Sequence, residues 1–234
     1  MSKVLMVISG ADSLTLADGS VHPTGYWAEE VAASHRVFTE AGVEVVLATP
    51  GGVRPTVDAL SLDERGGVSS EDAQTFRAYL DGLADGLAHP LPLAQLNGDD
   101  YDAIYLPGGH GPMADLVGDA DLGRLLNAAQ AEGKTVAALC HGVAALLSAT
   151  GQDGAFTFAG RTVTSFTDEE ERQGGLGDDS PYFVESLLRE RGAVLQTGAA
   201  WSDTVVRDGN LVTGQNPQSS VSTARAVLKG LLEG

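Results

Sequence analysis

Four short apolar runs, separated by segments with helical patterning, constrain the fold of this chain more than any other feature of its sequence. The runs are KVLMVI, VEVVLATP, YDAIYLPGG and KTVAALC, which begin at residues 3, 43, 101 and 134. Continuous apolar runs of this length are typical of strands that are buried on both faces of a parallel sheet. Their alternation with helices predicts an α/β fold, doubly wound, in which helices cover both faces of a mostly parallel sheet.

Residues 52–98 interrupt this alternation. The segment is rich in Gly, Pro and Asp around one helical stretch, SSEDAQTFRAYLDGLADGL. Such a composition predicts either a small inserted cap or a long surface connection without a role. We therefore predict a single domain over residues 1–234 with an inserted cap at about 52–98. Near the C-terminus, the sequence DGN at 208–210 predicts a hairpin, and a helix is expected from about Val221 to Leu232.

The charge balance limits the partners of this chain. It has 14 Lys and Arg against 32 Asp and Glu, a formal net charge of -18, so its surface repels nucleic-acid phosphates and anionic membranes. The sequence has no run of about 18 apolar residues, which predicts that no segment spans a membrane. Its one cysteine cannot form an internal disulfide, and the first apolar run is too short for a secretory signal, so we predict a cytoplasmic location.

The single cysteine, Cys140, follows the run KTVAAL at a point where a helix is expected to begin. In an α/β sheet, ligands bind in the crevice at the carboxyl ends of the strands, and a residue on a tight strand-to-helix turn projects into that crevice. The amides at the start of the helix lower the pKa of a thiol placed there. With His141 and Gly142 next to it, Cys140 is predicted to be a low-pKa nucleophile, the alternative being an inert core cysteine.

A second glycine turn, PGGHG at 107–111, ends another predicted strand at the same edge of the sheet. The backbone N–H of Gly109, together with that of His141, could form an oxyanion hole that faces the sulfur. The alternative is a plain left-handed turn without a function.

Two acidic clusters could supply a proton-transfer group beside the thiol. The first lies in GYWAEEVAASHRVFTEAG, a helical segment whose apolar stripe is Trp27, Val31, Ser34 and Phe38. On a helical wheel Glu30 falls at the edge of this stripe, whereas Glu29 falls on the opposite face, in water. A half-buried Glu30 should have a pKa raised toward neutrality, as a general base requires.

The second cluster, DEEE at 168–171, follows a strand that is expected to end at Phe166. One of these acids could orient the His141 ring as the third member of a triad does. Spacing does not decide which of them reaches the ring.

Taken together, ALCHG, PGGHG, GYWAEE and VTSFTDEEE resemble the DJ-1/ThiJ/PfpI superfamily of class I glutamine amidotransferase-like proteins, most closely its Hsp31-like glyoxalase III branch. The resemblance implies a flavodoxin-like sheet, a Cys140 nucleophile with His141, a triad acid at Glu171, and a buried glutamate at Glu30. Asp168 and Glu170 remain alternatives to Glu171. True glutamine amidotransferases take their triad histidine from far downstream of the cysteine, and this sequence has no histidine after His141.

The resemblance implies a glutathione-independent glyoxalase, or D-lactate dehydratase: a hydro-lyase-type enzyme that acts on a small 2-oxoaldehyde and hydrates methylglyoxal to lactate. Alternatives are an Hsp31-like stress chaperone or holdase, a protein deglycase, and a cysteine peptidase or amidase. The resemblance also implies a homodimer. No cofactor is expected, and no metal, because the remaining histidines lack ligand spacing with an acid on one helix face: His22, His35, His89 and His110.

Overall fold

A computed structural model describes residues 2–233, which form a seven-stranded sheet flanked by two small two-stranded sheets. The strands are β1 (Lys3–Val7), β2 (Ser13–Thr15), β3 (Val21–Pro23), β4 (Glu44–Thr49), β5 (Leu91–Pro92), β6 (Ala103–Leu106), β7 (Thr135–Leu139), β8 (Thr162–Val163), β9 (Val194–Leu195), β10 (Val205–Asp208) and β11 (Leu211–Gly214). The main sheet has the order β10-β11-β7-β6-β1-β4-β5. Its pairs are parallel except β10 with β11, so the predicted mostly parallel sheet is confirmed.

Helices cover both faces of this sheet, as the alternation of runs predicts. They are α1 (Ala28–Glu40), α2 (Ser70–Gly82), α3 (Ala84–Ala88), α4 (Gly111–Asp115), α5 (Ala120–Ala131), α6 (Asp168–Gly174), α7 (Val184–Glu190) and α8 (Ser220–Glu233). Among the residues that the structure describes, no helix has the length and apolar character needed to cross a membrane.

The central strand β1 shows why its run is continuously apolar. Leu5 and Val7 belong to the apolar cluster that includes α5, whereas Val4 and Met6 belong to the cluster that includes α1 and α8. Successive side chains of a strand point to opposite faces, so a strand between two helical layers needs apolar residues at every position. Strand β1 pairs with β4 on one side and β6 on the other, which places the crevice for a ligand at its carboxyl end.

Residues 52–98 contain α2, α3 and β5, connected by short 3-10 turns. Strand β5 extends the main sheet beside β4, and α2 packs against α1. The start of the segment is fixed to the chain before α1, where Asp58 Oδ2 accepts a hydrogen bond from Thr24 Oγ1 at 2.8 Å. The segment therefore lies against α1, beside the carboxyl end of β1.

The C-terminal hairpin is confirmed: β10 and β11 are antiparallel and joined through Gly209, whose φ is 57°. The final helix, α8, begins one residue earlier than expected.

The predicted strand ending at Phe166 is wrong at its end, because β8 stops at Val163. Beyond that residue the backbone binds other groups, since Thr164 N–H donates to Thr213 Oγ1 and Phe166 N–H donates to the carbonyl of Cys140.

Glu170 connects α6 to the segments that follow β9 and β11. It completes a capping box with Thr167 at the start of α6. Its other oxygen, Oε1, accepts hydrogen bonds from the Trp201 N–H at 2.7 Å, Gln215 Nε2 at 3.1 Å and Asn216 Nδ2 at 2.8 Å. Glu170, Gln215 and Asn216 are all completely buried, so the two side-chain amides have no access to water as a replacement.

We expect Glu170→Ala to lower the free energy of unfolding by about 3 kcal/mol or more, because it leaves several buried donors without an acceptor. The matched control is Glu169→Ala on the same helical turn, where the exposed side chain binds only Gln173. Urea denaturation of both variants measures the difference. Equal stability of the two variants would contradict this role of Glu170.

Candidate active site

Cys140 occupies a strained turn between β7 and a 3-10 segment that runs from Cys140 to Ser148. Its φ is 57°, in the left-handed region that residues other than glycine seldom adopt. The turn packs tightly against the end of β6: a Cβ added to Gly142 would lie 2.5 Å from the Leu106 carbonyl oxygen, and one on Gly108 would lie 2.8 Å from Gly142 N. The predicted tight turn is present, followed by a 3-10 segment in place of the expected α-helix.

His141 lies between the thiol and a carboxylate. Its Nδ1 is 3.3 Å from Cys140 Sγ, and its Nε2 is 2.6 Å from Glu171 Oε2. An ionised carboxylate only accepts hydrogen bonds, so His141 Nε2 carries the proton that it donates to Glu171. Nδ1 of the neutral ring is then unprotonated, and its lone pair is available to accept the thiol proton.

The ionisation states of Glu171 and His141 favour this hydrogen-bonding arrangement. Burial alone would raise the pKa of Glu171, but His141 and His110 beside it hold that pKa well below its usual range. Burial lowers the pKa of His141, and the neighbouring His110 lowers it further. A carboxylate next to a neutral imidazole is therefore the resting state near neutral pH.

Of the four acids at 168–171, the structure brings Glu171 to His141. Asp168 instead accepts a hydrogen bond from Ser186 Oγ at 2.6 Å, and Glu170 holds the network described above. Glu171 Oε1 also accepts from the Leu176 N–H at 2.5 Å, which fixes the carboxylate from its far side.

Glu30 approaches the same sulfur from helix α1. It is completely buried rather than half-buried, and its Oε2 accepts a hydrogen bond from the Gly108 N–H at 2.6 Å. Burial raises its pKa to about 8, although the Gly108 amide and the Cys140 thiol act in the opposite direction. Its other oxygen, Oε1, has no nitrogen or oxygen partner. A carboxyl group that is mostly protonated at pH 7 therefore lies beside the thiol.

The predicted low pKa of Cys140 is wrong. Burial raises the pKa of the thiol well above its ordinary value, the Glu30 carboxylate raises it further, and the His141 backbone N–H opposes this only in part. Burial, together with the Glu30 carboxylate that α1 places beside the sulfur, outweighs the lowering effect of the amides at the start of the segment.

Glu29 does not lie in water as the helical wheel predicts. It is partly buried and lines the cavity in front of Cys140, and burial, with a contribution from Asp72, raises its pKa to about 7. The wheel assumes that one face of α1 is covered. The inserted segment, through Asp72 of α2 and its neighbours, covers a second face.

The Gly109 turn has a positive φ of 90°. A side chain is excluded there, because a Cβ would lie 2.5 Å from the Gly25 carbonyl oxygen. Within residues 2–233 the Gly109 N–H donates to no protein acceptor. It remains available to an oxyanion, so the predicted pairing of the Gly109 and His141 amides stays a prediction.

A cavity of about 60 Å³ opens onto the sulfur. Space of this size holds roughly four to six water-sized atoms, which is enough for a small organic molecule. The inserted segment contributes Gly66, Gly67 and Val68 to its wall. Aromatic side chains form other parts of the wall: Trp27, Phe166 and Trp201.

His110 is the site residue that the sequence reasoning missed. Its Nε2 is 3.2 Å from Glu171 Oε1, and its ring centroid is 4.0 Å from that of His141. The ligand atoms of His110, His141 and Glu171 lie within 4.8 Å of one another, close enough to hold a metal ion. Spacing on one helix did not show this group, because its members come from three different elements. The available signal was the position of His110 at a glycine turn facing the crevice.

Comparison with known proteins agrees with this geometry. Residues 23–230 match the DJ-1/PfpI family. The glutathione-independent glyoxalase HSP31 of Saccharomyces cerevisiae is 30% identical, over 95% of this chain and 94% of the yeast protein. The protein/nucleic acid deglycase HchA of Pseudomonas aeruginosa is 28% identical, over 99% of this chain and 81% of that protein.

A solved structure extends the comparison to the fold. The crystal structure of glyoxalase III from Candida albicans gives a TM-score of 0.82 at 27% identity, covering 97% of this chain and 96% of that protein. The match includes the flavodoxin-like sheet. These findings confirm the resemblance that the four sequence motifs predict.

Alkylation by iodoacetamide measures the pKa of Cys140, because only the thiolate reacts. We expect the midpoint of the rate against pH to lie above the ordinary cysteine value of about 8.5. Glu30→Gln should move the midpoint to lower pH, since it removes the carboxylate that raises the pKa of the thiol. The control, Glu40→Gln at the exposed end of the same helix, should leave it unchanged. A native midpoint below that of the unfolded protein would contradict the account.

Proposed function

The chain belongs to the DJ-1/PfpI family, and from that premise we propose that it is a glutathione-independent glyoxalase that converts methylglyoxal to lactate, with Cys140 as nucleophile. One observation carries the proposal: the buried thiol lies between a neutral imidazole on one side, His141, and a glutamic acid of raised pKa on the other, Glu30. These are the groups that thiol addition and carbon-to-carbon proton transfer require.

In the first step, His141 Nδ1 accepts the thiol proton as Cys140 Sγ adds to the aldehyde carbon of the substrate. The carbonyl oxygen becomes negatively charged, and the amides of Gly109 and His141 stabilise it. The proton then passes from His141 to this oxygen, which gives a neutral hemithioacetal. Glu171 holds the ring in the required tautomer and stabilises the imidazolium that forms transiently.

In the second step, the ionised form of Glu30 removes the hydrogen on the first carbon of the hemithioacetal and returns it to the second carbon through an enediolate. A carboxylate whose pKa is about 8 is a stronger base than an ordinary one and is still ionised in a useful fraction near neutral pH. The product is a thioester of lactate with Cys140.

In the third step, water hydrolyses the thioester, which releases lactate and returns the proton to the thiol. The sum of the steps is methylglyoxal plus water giving lactate, and the enzyme returns to its starting state. Because the thiol of the protein forms the hemithioacetal, glutathione is not needed. The enzyme class expected from the sequence, a hydro-lyase or lactate dehydratase, describes the same chemistry.

The size of the cavity supports a free oxoaldehyde as the substrate. Methylglyoxal has five heavy atoms, which fits a space of about 60 Å³. A deglycase, the activity named for the Pseudomonas relative, would need room above the sulfur for a modified side chain. A holdase would need a continuous apolar surface, whereas residues 2–233 expose only six large apolar side chains: Val21, Val53, Leu91, Val194, Trp201 and Leu232.

Two further expectations remain proposals: a homodimer in solution and a cytoplasmic location. Neither is needed for the chemistry, since the residues used above all come from one chain.

Purified protein should form lactate from methylglyoxal in the absence of glutathione. Cys140→Ser should reduce this activity to background, and Glu30→Gln should lower it by about 100-fold or more, because the base that moves the carbon-bound proton is missing. Glu40→Gln provides a matched control on α1 and should retain full activity. Lactate formation by Glu30→Gln at the native rate would rule out the proposed proton transfer.

The pH dependence of the same reaction gives a separate test. The active form of Glu30 is the carboxylate, so kcat/KM should rise with pH up to the pKa of this group, about 8. His141 should not limit the rate in this range, because its lowered pKa keeps the ring neutral. A profile that is already flat just above the ordinary glutamate pKa, about 4.3, would contradict the assignment.

A further inference from the structure

In the proposed reaction, conversion of the hemithioacetal into the thioester needs two proton movements. The residues assigned so far account for one of them. Conversion of the hemithioacetal into the thioester moves a hydrogen from the first carbon to the second, which is the task of Glu30. It also moves a proton from the hydroxyl on the first carbon to the oxygen on the second carbon. This second movement requires a group that can both accept and donate a proton within the cavity.

His141 serves the oxygen on the first carbon. Nε2 donates to Glu171 Oε2 at 2.6 Å, and Nδ1, which lies 3.3 Å from the sulfur, has returned its proton to that oxygen in the addition step. Glu30 is occupied with the carbon-bound hydrogen, and its Oε2 is held by the Gly108 amide.

His110 offers a second ring nitrogen in the cavity that Cys140 lines. Its Nε2 points to Glu171 Oε1 at 3.2 Å, and this nitrogen carries the proton, because the carboxylate can only accept. Nδ1 is therefore the unprotonated nitrogen. It has no hydrogen-bond partner among residues 2–233 and is not enclosed by protein atoms, and the ring lines the same cavity as Cys140.

We propose that His110 is a further catalytic residue, whose Nδ1 transfers the oxygen-bound proton between the two oxygens of the substrate. Nδ1 first takes the proton of the hemithioacetal hydroxyl. As Glu30 removes the carbon-bound hydrogen, the electron pair of that bond forms the double bond of the enediolate, and His110 donates this same proton to the oxygen on the second carbon. As Glu30 returns the hydrogen to the second carbon, the deprotonated oxygen on the first carbon becomes the thioester carbonyl, and Nδ1 is again unprotonated. No external oxidant or reductant is involved. This role rests on the proposed glyoxalase function.

A purely positioning role for His110 is less well supported by the contacts. Glu171 is held without it, because Oε1 accepts from the Leu176 N–H at 2.5 Å and Oε2 accepts from His141. A positioning role would use only Nε2 of His110 and would give no function to Nδ1, which has no hydrogen-bond partner among residues 2–233.

His110→Gln separates the two roles. The amide nitrogen of glutamine can still donate to Glu171, but glutamine has no basic nitrogen that could replace Nδ1. We expect kcat for lactate formation to fall by about 100-fold or more, while mass spectrometry shows that the methylglyoxal adduct on Cys140 forms at the native rate and accumulates. His89→Gln is the matched control, because His89 is exposed and lies outside the site, and it should leave both rates unchanged.

Chemical rescue provides a second measurement. His110→Ala leaves a space the size of an imidazole ring, and added imidazole should restore part of the lost turnover, whereas a structural role would give no such rescue. Native turnover in His110→Gln, a matching loss of adduct formation and turnover, or the absence of rescue in a folded His110→Ala variant would each overturn the inference. Failure of the native protein to form lactate would instead overturn the proposed function, and this inference with it.

Discussion

The structure of the site depends on the close approach of two glycine turns, at the ends of β6 and β7. Gly108 and Gly142 leave no space for a Cβ between these backbones. The contact fixes the turn at which Cys140 takes its positive φ, and it directs the Gly108 amide toward Glu30. The two groups that transfer protons in the proposed reaction are held differently: the Gly108 amide holds Glu30, and the Glu171 carboxylate holds the His141 ring.

The two buried carboxyl groups of the site differ in ionisation. Burial would raise the pKa of Glu171, but two imidazoles hold it far below the usual range, whereas Glu30 meets one amide and a thiol, and burial raises its pKa to about 8. Separation of pKa values by environment assigns different roles to chemically identical groups. The ionised Glu171 accepts a hydrogen bond from His141, and in the proposed reaction Glu30 exchanges a proton with the substrate.

The sequence predicts the features that depend on local pattern. It predicts less well the burial, pKa values and contacts of residues that lie where separate elements meet. The buried strands and the turn at Cys140 follow from the apolar runs, whereas helical spacing predicts only partial burial of Glu30, which is completely buried. The exposure of Glu29 was mispredicted because the inserted segment covers a second face of α1. The pKa of Cys140 and the contact of His110 with Glu171 depend on elements that are distant in sequence. Hydrophobic periodicity describes one element at a time, so it does not predict contacts between such elements.

The central claim is that Cys140 and His141 form a neutral pair at rest, with the His141 proton on Nε2. Nitrogen-15 NMR of histidine-labelled protein, assigned by comparison with a His141→Asn variant, observes this proton directly. At neutral pH we expect His141 Nε2 to show one-bond coupling to hydrogen and Nδ1 to have the chemical shift of an unprotonated nitrogen. Protons on both nitrogens would reveal a thiolate–imidazolium pair and contradict the account.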